Sequence, residues 1–213
     1  MYVAGAFSGD VSANYFADNK AGNHGGGLYV GGDFTGSLAD YAFFIRNSAG
    51  YQTGVGIYLD NGGIVGTAFA RNSALQGGGG AVYAGSVRNG IANVDFSENV
   101  AGLRGGGVYL GADGLSGGLV DSRFFSNQAG ADSGGLYAGR DIAGGISGTD
   151  TTIKNGFFLN NYAEGKGGVF YIGTGGGSVS LTADADQRTS FLANADGTKL
   201  VLNNSFYIDS GLF

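Results

Sequence analysis

The chain has 213 residues, 43% of them hydrophobic, enough to enclose one substantial core and too apolar for a disordered chain. Forty-six glycines weigh against helix, where each costs about 1 kcal/mol relative to Ala, and the absence of proline leaves every backbone N–H free for sheet ladders. The net charge of -6 is the wrong sign for phosphate backbones, so nucleic acid is not an expected partner. No cysteine means no disulfide or thiolate metal site, and no apolar run of about 18 residues means no membrane insertion by this segment.

Tyr2-Val3 opens the chain as a short strand, and from there two signatures alternate. Phe16–Asn19 is followed, after a short Ala/Gly-containing link, by Gly26-Gly27-Leu28-Tyr29-Val30; Phe44–Asn47 is followed by Gly56-Ile57-Tyr58-Leu59. Phe69–Asn72 precedes Gly80-Ala81-Val82-Tyr83-Ala84, and Phe96–Asn99 precedes Gly106-Gly107-Val108-Tyr109-Leu110. Phe124–Asn127 leads to Gly134-Gly135-Leu136-Tyr137-Ala138, Phe157–Asn160 to Gly168-Val169-Phe170-Tyr171-Ile172, and Phe191–Asn194 to a degraded Ser205-Phe206-Tyr207-Ile208. Measured between tyrosines, the steps are 27, 29, 25, 26, 28, 34 and 36 residues. Helical solenoids share this period. The recurrent glycines and the apolar-Tyr-apolar alternation of period 2 select β instead. The expected fold is all-β, a right-handed parallel β-helix solenoid of about seven coils and one domain, 1–213, with two or three short strands per coil pairing with their counterparts one rung away.

Stacked coils place equivalent residues in columns. Phe16, Phe44, Phe69, Phe96, Phe124, Phe157 and Phe191 are expected inside, ring against ring. Asn19, Asn47, Asn72, Asn99, Asn127, Asn160 and Asn194 are expected at a turn, where Asn tolerates the left-handed conformation and its amides can form a ladder. The residue before each Asn varies freely (Asp18, Arg46, Arg71, Glu98, Ser126, Leu159, Ala193) and so points outward. In the second signature the residues flanking each Tyr, such as Val82 and Ala84, point inward, and period 2 turns the tyrosines out. Tyr29, Tyr58, Tyr83, Tyr109, Tyr137 and Tyr171 then form a column that either packs across rungs or offers a binding stripe.

Phe-x-x-Asn followed by Gly-Gly-(Ala/Gly)-aliphatic, with Gly79-Gly80-Ala81-Val82 as its complete copy, resembles the paired repeats of chlamydial polymorphic membrane proteins and related autotransporter-adhesin passenger domains. The resemblance covers nearly the whole chain. It implies a right-handed β-helix exported across an outer membrane and used in adhesion.

Chemistry on such a surface needs converging acid and base groups. Asp184 and Asp186 are the best-spaced carboxylate pair, but they fall in a glycine-rich loop and read as a solvated or weakly cation-binding loop, with no dense oxygen cluster of the kind Ca²⁺ needs. His24, the only histidine, has no partners for metal or triad chemistry and reads as a turn residue. Gly77 to Gly80 has no Lys-Ser/Thr after it and reads as a solenoid turn, not a phosphate loop. Asp40, Arg71, Arg88, Arg104, Arg123 and Arg140 read as solvated surface. Longer spacings expand the loops at 141–153 and 173–190, which should project from one side of adjacent coils. No catalytic residue, metal or cofactor is expected.

The function expected is that of an adhesin-type binding or structural stalk, extracellular or at the cell surface. Its partner would be a protein or glycan on a host or neighbouring cell, or a second copy joined head to tail. The alternatives are a self-assembling filament or surface-layer subunit and a polysaccharide-degrading β-helix enzyme. Both ends break off within a repeat and lack a polar cap, so the chain is expected to be a section of a longer solenoid or a polymerising unit.

Overall fold

The computed structural model describes residues 1–50, 57–115, 117–139, 151–172, 179–182, 188–197 and 206–208. Among them there is no helix; the chain is a stack of short parallel strands in four sheets, a parallel β-solenoid. One circuit runs through Val82–Val87, Ile91–Ala92, Asp95–Ser97 and Val100–Ala101, and the next begins at Val108–Leu115. The first sheet has eight strands, from Tyr2–Val3 to Phe206–Ile208, and the second has seven, from Val11–Ser12 to Val179–Thr182. The third, Tyr15–Ala17 to Ser190–Leu192, and the fourth, Lys20–Ala21 to Ala195–Asp196, also have seven each.

Each circuit thus has four strands where two or three were expected. The extra strand arises inside Phe-x-x-Asn, which is not one strand but a corner. The residue before the Asn adopts a positive φ, as at Asp18, Arg46, Arg71, Glu98 and Ser126, so the left-handed residue is this exposed one and not the Asn. Turning the chain there points the Asn amide inward.

The core is built from columns. Val11, Leu38, Ile64, Ile91, Leu119 and Ile153 face in from the second sheet, and Ala49, Ala74, Ala101, Ala129 and Ala163 from the fourth. The third contributes the Phe column, with ring centroids 4.5 to 5.4 Å apart from Phe16 through Phe44, Phe69, Phe96, Phe124 and Phe158 to Phe191. Here the sixth copy departs from expectation. Gly156-Phe157-Phe158-Leu159-Asn160-Asn161 fits the signature in two registers, and Phe158 and Asn161 enter the core, leaving Phe157 half-buried and Asn160 exposed at positive φ. The second register lets Phe158 stack on Phe124 while Asn160 takes the left-handed corner that Ser126 holds one rung earlier.

The Asn column, Asn19 to Asn194 through Asn161, is an unbroken amide ladder. Asn72 Nδ2 donates to Asn99 Oδ1 at 3.0 Å and to the Phe44 carbonyl at 2.8 Å, and the Asn72 backbone N–H also donates to Asn99 Oδ1. The same bonds recur between Asn47 and Asn72, Asn99 and Asn127, Asn127 and Asn161, and Asn161 and Asn194. At this corner the side-chain oxygen therefore takes the place of a main-chain acceptor, so the buried amides stand there with their hydrogen-bonding groups paired.

The structure also gives a reason for the paired glycines. Gly79, Gly105 and Gly167 have positive φ, and a Cβ on the next residue, Gly80, Gly106 or Gly168, would run into backbone atoms of the neighbouring strand. Gly25-Gly26-Gly27-Leu28 and Ser133-Gly134-Gly135-Leu136 occupy the same place, so the left-handed turn followed by a buried glycine recurs in five copies although the Gly-Gly-Ala-aliphatic sequence is complete only at Gly79-Gly80-Ala81-Val82.

Candidate functional site: a cleft on the third sheet

Of the two readings the sequence left open for the tyrosine column, packing across rungs is the one the structure shows. Tyr83 and Tyr109 stack at 4.6 Å, Tyr109 and Tyr137 at 5.1 Å, and Tyr137 and Tyr171 at 4.8 Å. Tyr109 and Tyr137 therefore have both ring faces covered, and Tyr137 is only 7% exposed, with the Arg104 guanidinium lying 5.1 Å from its ring. Tyr29 is likewise half-buried, stacked on Tyr2. Tyr58 keeps the backbone register of the column, and its side chain lies outside the described residues. The tyrosines pack across rungs, since in a parallel stack identical flat side chains cover one another at the rung spacing.

Several other expected site residues are accounted for within the wall. His24 lies 5.8 Å from the Tyr29 ring. Arg46 pairs with Asp18 and Arg71 with Glu98 across adjacent rungs, hydrogen bonds that hold the two exposed carboxyls below their ordinary range. Arg104 pairs with Asp132 at 3.2 Å, and Asp40 takes a left-handed corner between the second and third sheets. Asp184, Asp186 and Arg140 lie outside the described residues. The expanded segments are narrower than expected: Thr151–Lys154 and Val179–Thr182 are strands of the second sheet, paired with each other. No group of three or more His, Cys, Asp or Glu side chains able to hold a metal occurs among the described residues.

The site that stands out lies on the outer face of the third sheet. Either side of the inward Phe column runs an outward one. The first reads Tyr15, Phe43, Ala68, Asp95, Arg123, Phe157, Ser190, and the second Ala17, Ile45, Ala70, Ser97, Phe125, Leu159, Leu192. Small residues, Ala68, Ala70 and Ser97, cluster on the middle rungs, flanked by the bulkier Phe43 and Ile45 on one side and Arg123, Phe125, Phe157 and Leu159 on the other. The dip opens into a cleft of about 1160 Å³, bounded also by the left-handed corners at Asn93, Asp121 and Asn155 and by Tyr41. It crosses five adjacent rungs, roughly 19 Å at a strand spacing of about 4.8 Å. Tyr41 is 74% exposed and Phe125 39% exposed, beside exposed Tyr15 and Phe43; clustered aromatic exposure of this kind marks interaction surfaces.

Within the cleft Asp121 accepts from Asn155 Nδ2 at 2.8 Å. Asp95 is different. It is half-buried, its carboxyl has no hydrogen-bonding or ion-pairing partner among the described residues, and burial raises its pKa despite the opposing charge of Arg123 on the next rung. A group whose folded pKa is raised contributes stability below its unfolded pKa and loses it as pH rises through the folded value. Asp95→Asn should therefore raise the urea midpoint at neutral pH, with the gain over wild type shrinking as the medium is acidified through the carboxylate range. A variant less stable than wild type at neutral pH would contradict this reading.

Sequence reasoning missed Asp95; Arg123, read as solvated surface, is indeed exposed, and what spacing did not show is that it stands next to Asp95 on the following rung. The signal was present in the columns next to Phe-x-x-Asn, but a dip in a wall is visible only when seven copies are read in register, including the shifted sixth. Fold and cleft together place the chain in the class of parallel β-solenoids with a lateral groove. Comparisons with protein-family models, curated proteins and solved structures give no significant match.

Proposed function

We propose that this chain is a non-catalytic, adhesin-type binding stalk, extracellular or at the cell surface, and that it engages its partner through the third-sheet cleft. The observation that carries the reading is the unpaired, half-buried Asp95 carboxyl in a cleft edged by exposed aromatic rings. Elsewhere on the described wall three outward charge pairs, Arg46–Asp18, Arg71–Glu98 and Arg104–Asp132, join adjacent rungs, whereas the Asp95 carboxyl sits half-buried without such a partner among the described residues. A long stack of identical ladders suits a rigid stalk, and the resemblance of the repeats to polymorphic membrane proteins and autotransporter adhesins points the same way. Beads coated with the protein are expected to adhere to epithelial or bacterial cells above an albumin-coated control, and the Asp95→Asn, Phe125→Ser double variant is expected to lose that adhesion. Adhesion no better than albumin would overturn the proposal.

One observation favours a second reading, a polysaccharide-cleaving enzyme. A carboxyl with a raised pKa in the same cleft as a second carboxyl, Asp121, offers the two groups that a general acid and its partner require. Asp121 is engaged by Asn155, which favours binding over catalysis. Turnover of a polysaccharide that vanishes in Asp95→Asn would promote the enzyme.

A further inference from the structure

We infer that the third-sheet cleft takes a neutral oligosaccharide, an assignment that rests on the cleft being the adhesive face. Three features of the cleft select this ligand.

The first is the kind of hydrogen-bonding group on offer. The cleft lies over the middle of the third sheet, where each strand is paired on both sides, so no strand edge is open for an extended peptide to join. What remains are side chains: the Asp95 carboxylate accepts, the Arg123 guanidinium donates, and Asn93 does both. Vicinal hydroxyls, each at once donor and acceptor, match that set.

The second is the rings. Phe125 and Phe157 sit on neighbouring rungs beside Arg123, with Tyr41 on the far side of Ala68 and Asp95. A pyranose has a C–H-covered face that packs on an aromatic ring while its rim of hydroxyls stays free for polar partners. Aromatic platforms separated by polar groups therefore fit a chain of sugars better than a wholly apolar ligand.

The third is charge. Asp95 and Asp121 outnumber Arg123 by one, and the whole chain carries -6. A sulfated or uronic-acid chain would meet repulsion in the cleft and at long range, whereas a neutral chain meets none.

The test is calorimetric titration of the full chain with hexasaccharides of 1,4-linked glucose, mannose, galactose and xylose, all of which carry vicinal diols, and with a heparin-derived hexasaccharide as the polyanion. At least one neutral member is expected to bind with Kd below about 1 mM, and the heparin fragment is not. Phe125→Ala and Asp95→Asn should each weaken the binding at least about tenfold, with unchanged far-UV circular dichroism, while Lys20→Ala on the fourth sheet should not. The inference is overturned if no neutral hexasaccharide binds below that limit, if the heparin fragment binds instead, or if both cleft variants bind like wild type. Bead adhesion to cells pretreated with periodate, which cleaves vicinal diols, separates this inference from the broader reading. Cleft-dependent adhesion that survives periodate would remove the sugar and keep the stalk; adhesion absent from untreated cells would remove the stalk, whatever the titration shows.

Discussion

Replacing Phe96 with Ala is expected to cost about 3–5 kcal/mol, the range for truncating a fully buried Phe. Phe96 has no exposed surface and is sandwiched between Phe69 at 5.2 Å and Phe124 at 4.5 Å. Its removal forfeits two ring contacts and opens a void in the middle of the stack, where the rungs on either side are held at the strand spacing and cannot close it. The measurement is the shift in urea midpoint against wild type. A loss below about 1 kcal/mol would mean that the Phe column contributes little and that the aliphatic columns hold the solenoid together. Phe157, which the register leaves half-buried outside the column, should tolerate the same change at far lower cost than Phe158.

The second large effect is expected at the Asn ladder. Asn99→Ala removes the acceptor of both the Asn72 backbone N–H and Asn72 Nδ2, and the donor to the Phe69 carbonyl. Each buried polar group left unpaired costs roughly 1–3 kcal/mol, so the variant should fall in the same range as Phe96→Ala although a much smaller group is deleted. The sixth rung supplies an internal control. Asn161→Ala breaks the ladder between Asn127 and Asn194, whereas Asn160→Ala loses only an exposed bond to Ser126 Oγ. Thermal melts should show a large drop for Asn161→Ala and a small one for Asn160→Ala. The opposite order would restore the register in which Phe157 and Asn160 enter the core.

Much of the architecture is legible in the residues because a solenoid writes each structural demand several times over. The Phe and Asn columns, the β character and the parallel stacking all follow from spacing alone. What spacing could not give is the conformation of single residues. The left-handed corner falls on Glu98 or Arg71, residues with no intrinsic preference for it, because the Asn next to them gains a fully bonded interior place. The tyrosines alternate outward as period 2 requires, yet outward is not exposed when Tyr109 is covered on both faces by its own neighbours. The cleft is harder still to read, since it depends on small residues such as Ala70 and Ser97 lying side by side on successive rungs, with Ala68 next to Asp95. Its key group, Asp95, belongs to no repeat signature.

The chain has no cysteine, so a single introduced thiol can be blocked cleanly, and this gives the most direct test of the cleft as the binding face. Ser97→Cys places the thiol in the cleft, and Ser73→Cys places it on the outer face of the fourth sheet. Each variant is coupled to a maleimide-linked polyethylene glycol and its bead adhesion compared with that of the same variant unlabelled. Adhesion is expected to be lost on labelling residue 97 and kept on labelling residue 73; adhesion that survives the label at 97, or is lost only with the label at 73, would contradict the account.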